Sequence, residues 1–111
     1  INTMSEGAIL ESDVAHENVG LLSDFYHVMT NHDSIDSMES IKKFDHIHIA
    51  AAGGRRYPLS EDGEEYRKFF QTLKKIDYNG RISIEGKTDE IEKDAKTALA
   101  LLKKMEECEY E

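Results

Sequence analysis

The chain has 111 residues, 39% hydrophobic and 33% charged, which suits one globular domain with its own core but is small for an enzyme with a deep pocket. The net charge of -9 at pH 7 argues against a nucleic-acid partner, because a DNA or RNA binder needs a basic surface to neutralise phosphates. No run of about 18 or more apolar residues is present, so no membrane-spanning helix and no membrane partner are expected.

Cys108 is the single cysteine. One chain can therefore build neither a disulfide framework nor a cysteine-based zinc site, and a reducing cytoplasm is the expected location. No basic-apolar-small leader is visible. The chain opens on Ile1 rather than Met, as a piece of a longer protein would.

In chain order, the spacing of Met4, Ala8, Ile9, Leu10 and Val14 predicts a helix within Ile1 to His16, capped by Asn2 or Thr3. Val19 to Tyr26 is mostly apolar and bounded by turn residues, as a strand buried on both faces would be. His27 to Asp33 reads as a loop. A short helix follows to about Lys43, capped by Ser34 or Asp36. Asp45 to Ala50 is the second strand, and Ala51 to Leu59 a loop containing Gly53, Gly54 and Pro58. A third helix opens near Ser60 to Glu64 and runs through Tyr66, Phe69, Phe70, Leu73 and Ile76. Asp77 to Gly80 is a turn, and Arg81 to Glu85 the third strand. Thr88 or Asp89 caps a last helix with a core stripe of Ile91, Ala95, Ala98, Leu99, Leu102 and Met105, before a frayed end at Glu106 to Glu111.

Strict alternation of helices and buried strands implies α/β architecture with a parallel sheet and right-handed crossovers. Helices cover one face. Period-2 alternation gives the other face Leu22, Asp24, His46, His48, Ser83 and Glu85, far too polar a set for an ordinary core.

Asp24, His48 and Glu85 each close a strand at its C-terminal end, where parallel βα structures build their sites. Two carboxylates and an imidazole form a mixed oxygen-nitrogen ligand set for Mn²⁺, Mg²⁺, Co²⁺ or Zn²⁺. A divalent ion would explain why acids are tolerated there; pairing of Asp24 and Glu85 with arginines, with His48 as a satisfied core histidine, explains it equally. His46 lies one layer deeper than His48 and reads as a supporting side chain. His27 stands where its strand turns into a loop, placed either to bond a substrate hydroxyl or to face solvent. Arg55 and Arg56 follow two glycines, so they could clamp an oxyanion or sugar hydroxyl, or simply compensate an acidic surface.

Those stretches, Ile1-Asn2-Thr3, Val19 to His27, His46 to Ala50 with Arg55-Arg56-Tyr57-Pro58, and Tyr78 to Glu85, together resemble the sugar phosphate isomerase/epimerase family. This is the xylose isomerase-like TIM-barrel group that includes the ketose 3-epimerases of the tagatose and psicose type. The resemblance covers essentially the whole chain and implies that residues 1–111 are the C-terminal part of such a barrel: about three parallel strands alternating with four helices. A whole barrel takes about 250 residues.

The resemblance implies further that Asp24, His48 and Glu85 are three of four ligands to a divalent metal, Mn²⁺ foremost, with the fourth upstream of Ile1. It matches His27 and Arg55 to substrate contacts, with Arg56 as the alternative, because Ala51-Ala52-Gly53-Gly54 replaces a more polar run of many relatives. It makes Glu85 catalytic, one of two carboxylates exchanging a proton next to a carbonyl, with the ion stabilising an enediolate as Lewis acid. The second carboxylate lies upstream. The expected substrate is a sugar or sugar phosphate, and the chain alone is expected to be inactive. Open sheet edges predict a homodimer or strand-swapped assembly. A non-catalytic half-barrel scaffold or interaction module is the alternative. A DNA-repair endonuclease of the same superfamily is disfavoured by the acidic charge.

Overall fold

The structure, a computed structural model, describes residues 3–41, 43–60 and 65–107. Their order is α1 (Met4–Val14), β1 (Leu21–Asp24), α2 (Phe25–Thr30), a 3₁₀ helix (Ile35–Ser40), β2 (Phe44–Ile49), α3 (Tyr66–Lys75), β3 (Ile82–Ile84) and α4 (Ile91–Glu107). The strands form one sheet in the order β1-β2-β3, and both pairings are parallel. The α/β reading therefore holds. The Asn2 cap, the start of the third helix at 61–64 and Cys108 with the tail lie outside the described residues.

Register decides which residues share a face. Leu22 pairs with His46, Asp24 with His48, and His48 with Ser83. Ile47 pairs with Ile82 and Ile49 with Ile84 on the other face. Ile47 and Ile49 are fully buried in one core cluster with Phe25, Tyr66, Phe69, Leu102 and Met105. The Phe25 ring lies 5.1 Å from both Tyr66 and Phe69, clamping α2 to α3. The opposite face stays open: Leu22 is 51% exposed.

Helix α1 starts where expected, with the Thr3 side chain accepting the Glu6 N–H at 3.2 Å. Its buried face, however, is Met4, Gly7 and Glu11. A Cβ on Gly7 would stand 3.0 Å from Leu21, so glycine lets α1 lie close on β1. Glu11 accepts the Lys43 N–H at 3.0 Å, tying α1 to the entry of β2. Ile9, Leu10 and Val14 are exposed.

Three further expectations need correction. The first strand stops at Asp24, and the expected strand end together with the loop as far as Thr30 is helix α2, leaving Asn31 to Asp33 as the loop. The reason is local: Asp24 has extended dihedrals and its side chain accepts the Tyr26 N–H, as an N-cap residue does. The second expected helix is 3₁₀, and the side chain of Ser34 at its N-cap makes no capping bond. In α4, Ala98, Leu102 and Met105 are buried while Ile91 and Leu99 are exposed, so the core stripe is narrower than the spacing suggests. Thr88 accepts the Glu90 N–H at 3.2 Å and donates to Asp94 at 2.5 Å, bracing the entry to α4.

Candidate metal and substrate site

The parallel register brings Asp24, His48 and Glu85 to one end of the sheet. Asp24 is 8% exposed. Its Oδ1 is occupied by the Tyr26 N–H at 2.9 Å, which leaves Oδ2 facing the site. His48 Nδ1 lies 4.0 Å from that oxygen and in direct contact with Glu85 Oε2. Glu85 follows β3 and is held by its N–H to the Ile49 carbonyl at 3.0 Å. One ligand atom from each of the three residues lies within 4.8 Å of the others.

Beneath them, His46 meets the His48 ring edge-on at 5.1 Å and hydrogen-bonds Ser83 Oγ through Nε2 at 2.8 Å. That contact orients the lower imidazole across β2 and β3 and supports the upper one.

Arg55 closes the site from the loop after β2. Its Nη2 lies 3.5 Å from Asp24 Oδ2 and 3.5 Å from Glu85 Oε1, and its guanidinium carbon sits 4.9 Å from the Tyr26 ring centroid, a cation–π distance. The backbone is fixed from both sides: Lys87 N–H donates to the Arg55 carbonyl at 2.8 Å, and Ala51 N–H to the Arg56 carbonyl at 2.8 Å. Arg55 takes φ 54°, a left-handed conformation uncommon for a non-glycine residue. Arg56 points elsewhere, pairing with Asp89 at 3.1 Å. Of the two candidate arginines, Arg55 is the one that reaches the carboxylates.

Gly86 permits this docking. A Cβ there would lie 2.9 Å from the Arg56 carbonyl carbon and 3.0 Å from the Arg55 oxygen. Backbone atoms cannot yield as the tip of a side chain can.

His27 stands on the first turns of α2, its Nε2 4.0 Å from Asp24 Oδ2 and its side chain 54% exposed. It borders an open cavity of about 440 Å³ running between β1, α2 and the start of α1, with Met4, Leu22 and Asp24 among its walls. His27 thus flanks the cluster rather than entering it.

The donor set suits a divalent ion. Ligands of a metal bound at about 2.0–2.3 Å stand roughly 3–4.5 Å apart; the Asp24–His48 separation of 4.0 Å falls in that range, whereas His48 and Glu85 touch directly and would part to admit an ion. Hard oxygen with imidazole nitrogen suits a first-row divalent cation or Mg²⁺. The buried carboxylate of Asp24 also needs a positive partner. Arg55 supplies one now, and a metal would supply another.

The model of the xylose isomerase-like TIM barrel matches residues 1–105. The chain belongs to that family. It is 32% identical over 89 residues to a Drosophila melanogaster protein provisionally named hydroxypyruvate isomerase, covering 78% of this chain and 34% of that one. It superposes on D-allulose 3-epimerase from Methylomonas sp. with TM-score 0.83 at 24% identity, over 95% of this chain and 43% of that one. For D-psicose 3-epimerase from Clostridium cellulolyticum H10, solved with D-tagatose, the TM-score is 0.82 at 24% identity, over 97% and 45%. The 3-keto-D-glucoside 4-epimerase of E. coli gives 0.78 at 22%, over 94% and 40%. These structural likenesses show the fold: the three strands are staves of a TIM barrel. The chain spans about a third of the length of the curated relative and less than half of each solved one.

Two contributors escaped the sequence reading. Tyr26 carries the guanidinium of Arg55, and Gly86 admits its loop. Tyr26 sits two residues after Asp24, which would have signalled it had α2 been expected to begin there. Gly86 directly follows Glu85, but a lone glycine after a strand does not say what it makes room for.

Proposed function

We propose that the chain supplies the C-terminal staves of a divalent-metal-dependent isomerase or epimerase acting next to a carbonyl on a sugar or sugar phosphate. The observation that carries the reading is the meeting of Asp24, His48 and Glu85 at one end of adjacent parallel strands, in a chain of this family. Asp24, His48 and Glu85 are the ligands, with Mn²⁺ foremost. Bound there, the ion supplies Lewis-acid polarisation of the substrate carbonyl. Glu85, exposed at the mouth, also takes or returns the proton on the neighbouring carbon. Arg55 and His27 hold substrate oxygens at the rim.

A second reading lies within the same reaction class. The likeness to the fly protein favours a small 3-hydroxy-2-oxo acid such as hydroxypyruvate, whose carboxylate suits Arg55 better than a neutral ketose does.

Epimerisation needs carboxylates on both faces of the reacting carbon, and Glu85 covers one. With the second carboxylate and the fourth metal ligand expected upstream, the chain on its own should bind Mn²⁺ weakly and should not epimerise ketoses. Mn²⁺ titration tests the site: Asp24→Ala, His48→Ala and Glu85→Ala should each weaken binding. Unchanged affinity in all three would remove the metal reading, and measurable turnover by the purified chain would remove the inactivity claim.

A further inference from the structure

His48 and Arg55 both reach the two carboxylates of the candidate site, and Arg55 carries a permanent charge of the same sign as a metal. We infer that Arg55 is a resident counter-cation that competes with the divalent ion for Asp24 and Glu85, and is released to the site mouth when the ion binds. The inference rests on the metal reading proposed above and adds an order of events to it.

Three observations support it. The oxygen that Arg55 faces, Asp24 Oδ2, is the one turned toward His48 and Glu85, since Oδ1 is held by the Tyr26 N–H. Arg55 also reaches Glu85 Oε1, so its one guanidinium spans two of the three ligands. A cation entering among these donors meets guanidinium charge at contact range, where repulsion is strong in partly buried surroundings.

The remaining geometry lets Arg55 leave without unfolding its loop. The carbonyls of Arg55 and Arg56 are anchored to Lys87 and Ala51, so only the side chain has to move. Both contacts to the carboxylates are 3.5 Å, long for a charge-assisted hydrogen bond. The Tyr26 face offers a place to rest that does not depend on the carboxylates. Release turns a guanidinium that neutralises the protein into one free for a substrate oxyanion. Metal therefore binds first, and substrate recognition by Arg55 follows.

The test is a titration of the full chain with Mn²⁺, read by the electron paramagnetic resonance of the free ion. It compares wild type with Arg55→Gln, Arg55→Asn, Arg56→Gln and Asp24→Asn. Asparagine tolerates the left-handed backbone at position 55, so Arg55→Asn serves if the glutamine variant folds poorly. The expected result is affinity tightened about tenfold in both Arg55 variants, about 1.4 kcal/mol, no change in Arg56→Gln, and loss of binding in Asp24→Asn. Arg56 carries the same charge one residue away but pairs with Asp89, so equal tightening there would show a net-charge effect and overturn the competition. Unchanged or weaker affinity in the Arg55 variants, with binding still lost in Asp24→Asn, would overturn the competition and leave the metal site standing. Wild-type affinity in Asp24→Asn would remove both.

Discussion

Asp24 and Tyr26 are joined through one carboxylate that does two jobs. Oδ1 accepts the Tyr26 N–H at 2.9 Å and starts α2, while Oδ2 turns toward His48 and Arg55. The same cap places the Tyr26 ring under the Arg55 guanidinium. The end of a strand, the start of a helix and the seat of an arginine thus depend on one side chain.

Substitutions at Asp24 should separate the two jobs. Asp24→Asn keeps an oxygen to cap α2, whereas Asp24→Ala loses it, a difference of about 1 kcal/mol. Urea denaturation should find the alanine variant less stable than the asparagine variant, while both lose Mn²⁺ binding. Equal stability would mean that the cap contributes little.

Gly86→Ala should disturb the arginine loop. The added methyl meets the backbone of Arg55 and Arg56, and relief requires the loop to part from Lys87. The expected cost is about 1–3 kcal/mol, read as a lower urea midpoint. An unchanged midpoint would show that the loop shifts freely.

Phe25→Ala should be the more damaging change. Phe25 is fully buried between Tyr66 and Phe69, and truncation of such a ring costs about 3–5 kcal/mol. A loss below about 1 kcal/mol would indicate that α2 and α3 repack without it.

Tyr78 should make one contribution to stability that is lost at alkaline pH. It donates to the Arg81 carbonyl at 2.5 Å, and burial, followed by the charge of Asp45, holds its phenol above the usual tyrosine value of 10.0. The unfolded phenol therefore ionises first as pH rises. The Tyr78 contribution is complete below about pH 10 and is lost as pH rises through the folded-state value. Stability measured across that range should fall more steeply in wild type than in Tyr78→Phe; parallel curves would contradict the assignment.

How far the sequence was legible follows from which signals are local. Alternation in His46 to Ile49 and Ile82 to Ile84 showed both faces of the sheet, because period 2 leaves little choice once strands are buried on one side. Val19 to Tyr26 was read as one strand, because a mostly apolar run does not mark by periodicity where a buried strand gives way to a buried helix segment. The Asp24 cap decides it. Helical spacing located α1 and α4, yet how wide a stripe is covered depends on neighbours, which leave Ile9 and Leu99 exposed. The choice of Arg55 over Arg56 rests on Asp89 and Gly86, two long-range contacts that spacing does not encode.

The claim on which the others rest is that Asp24, His48 and Glu85 hold one divalent ion. Crystals of the chain soaked in Mn²⁺, with anomalous scattering collected near the manganese edge, test it directly. The account predicts one strong peak about 2.0–2.3 Å from an oxygen of Asp24, His48 Nδ1 and an oxygen of Glu85, with the Arg55 guanidinium moved off both carboxylates. A peak at any other place, or Arg55 still seated between Asp24 and Glu85 with no peak beside it, would contradict it.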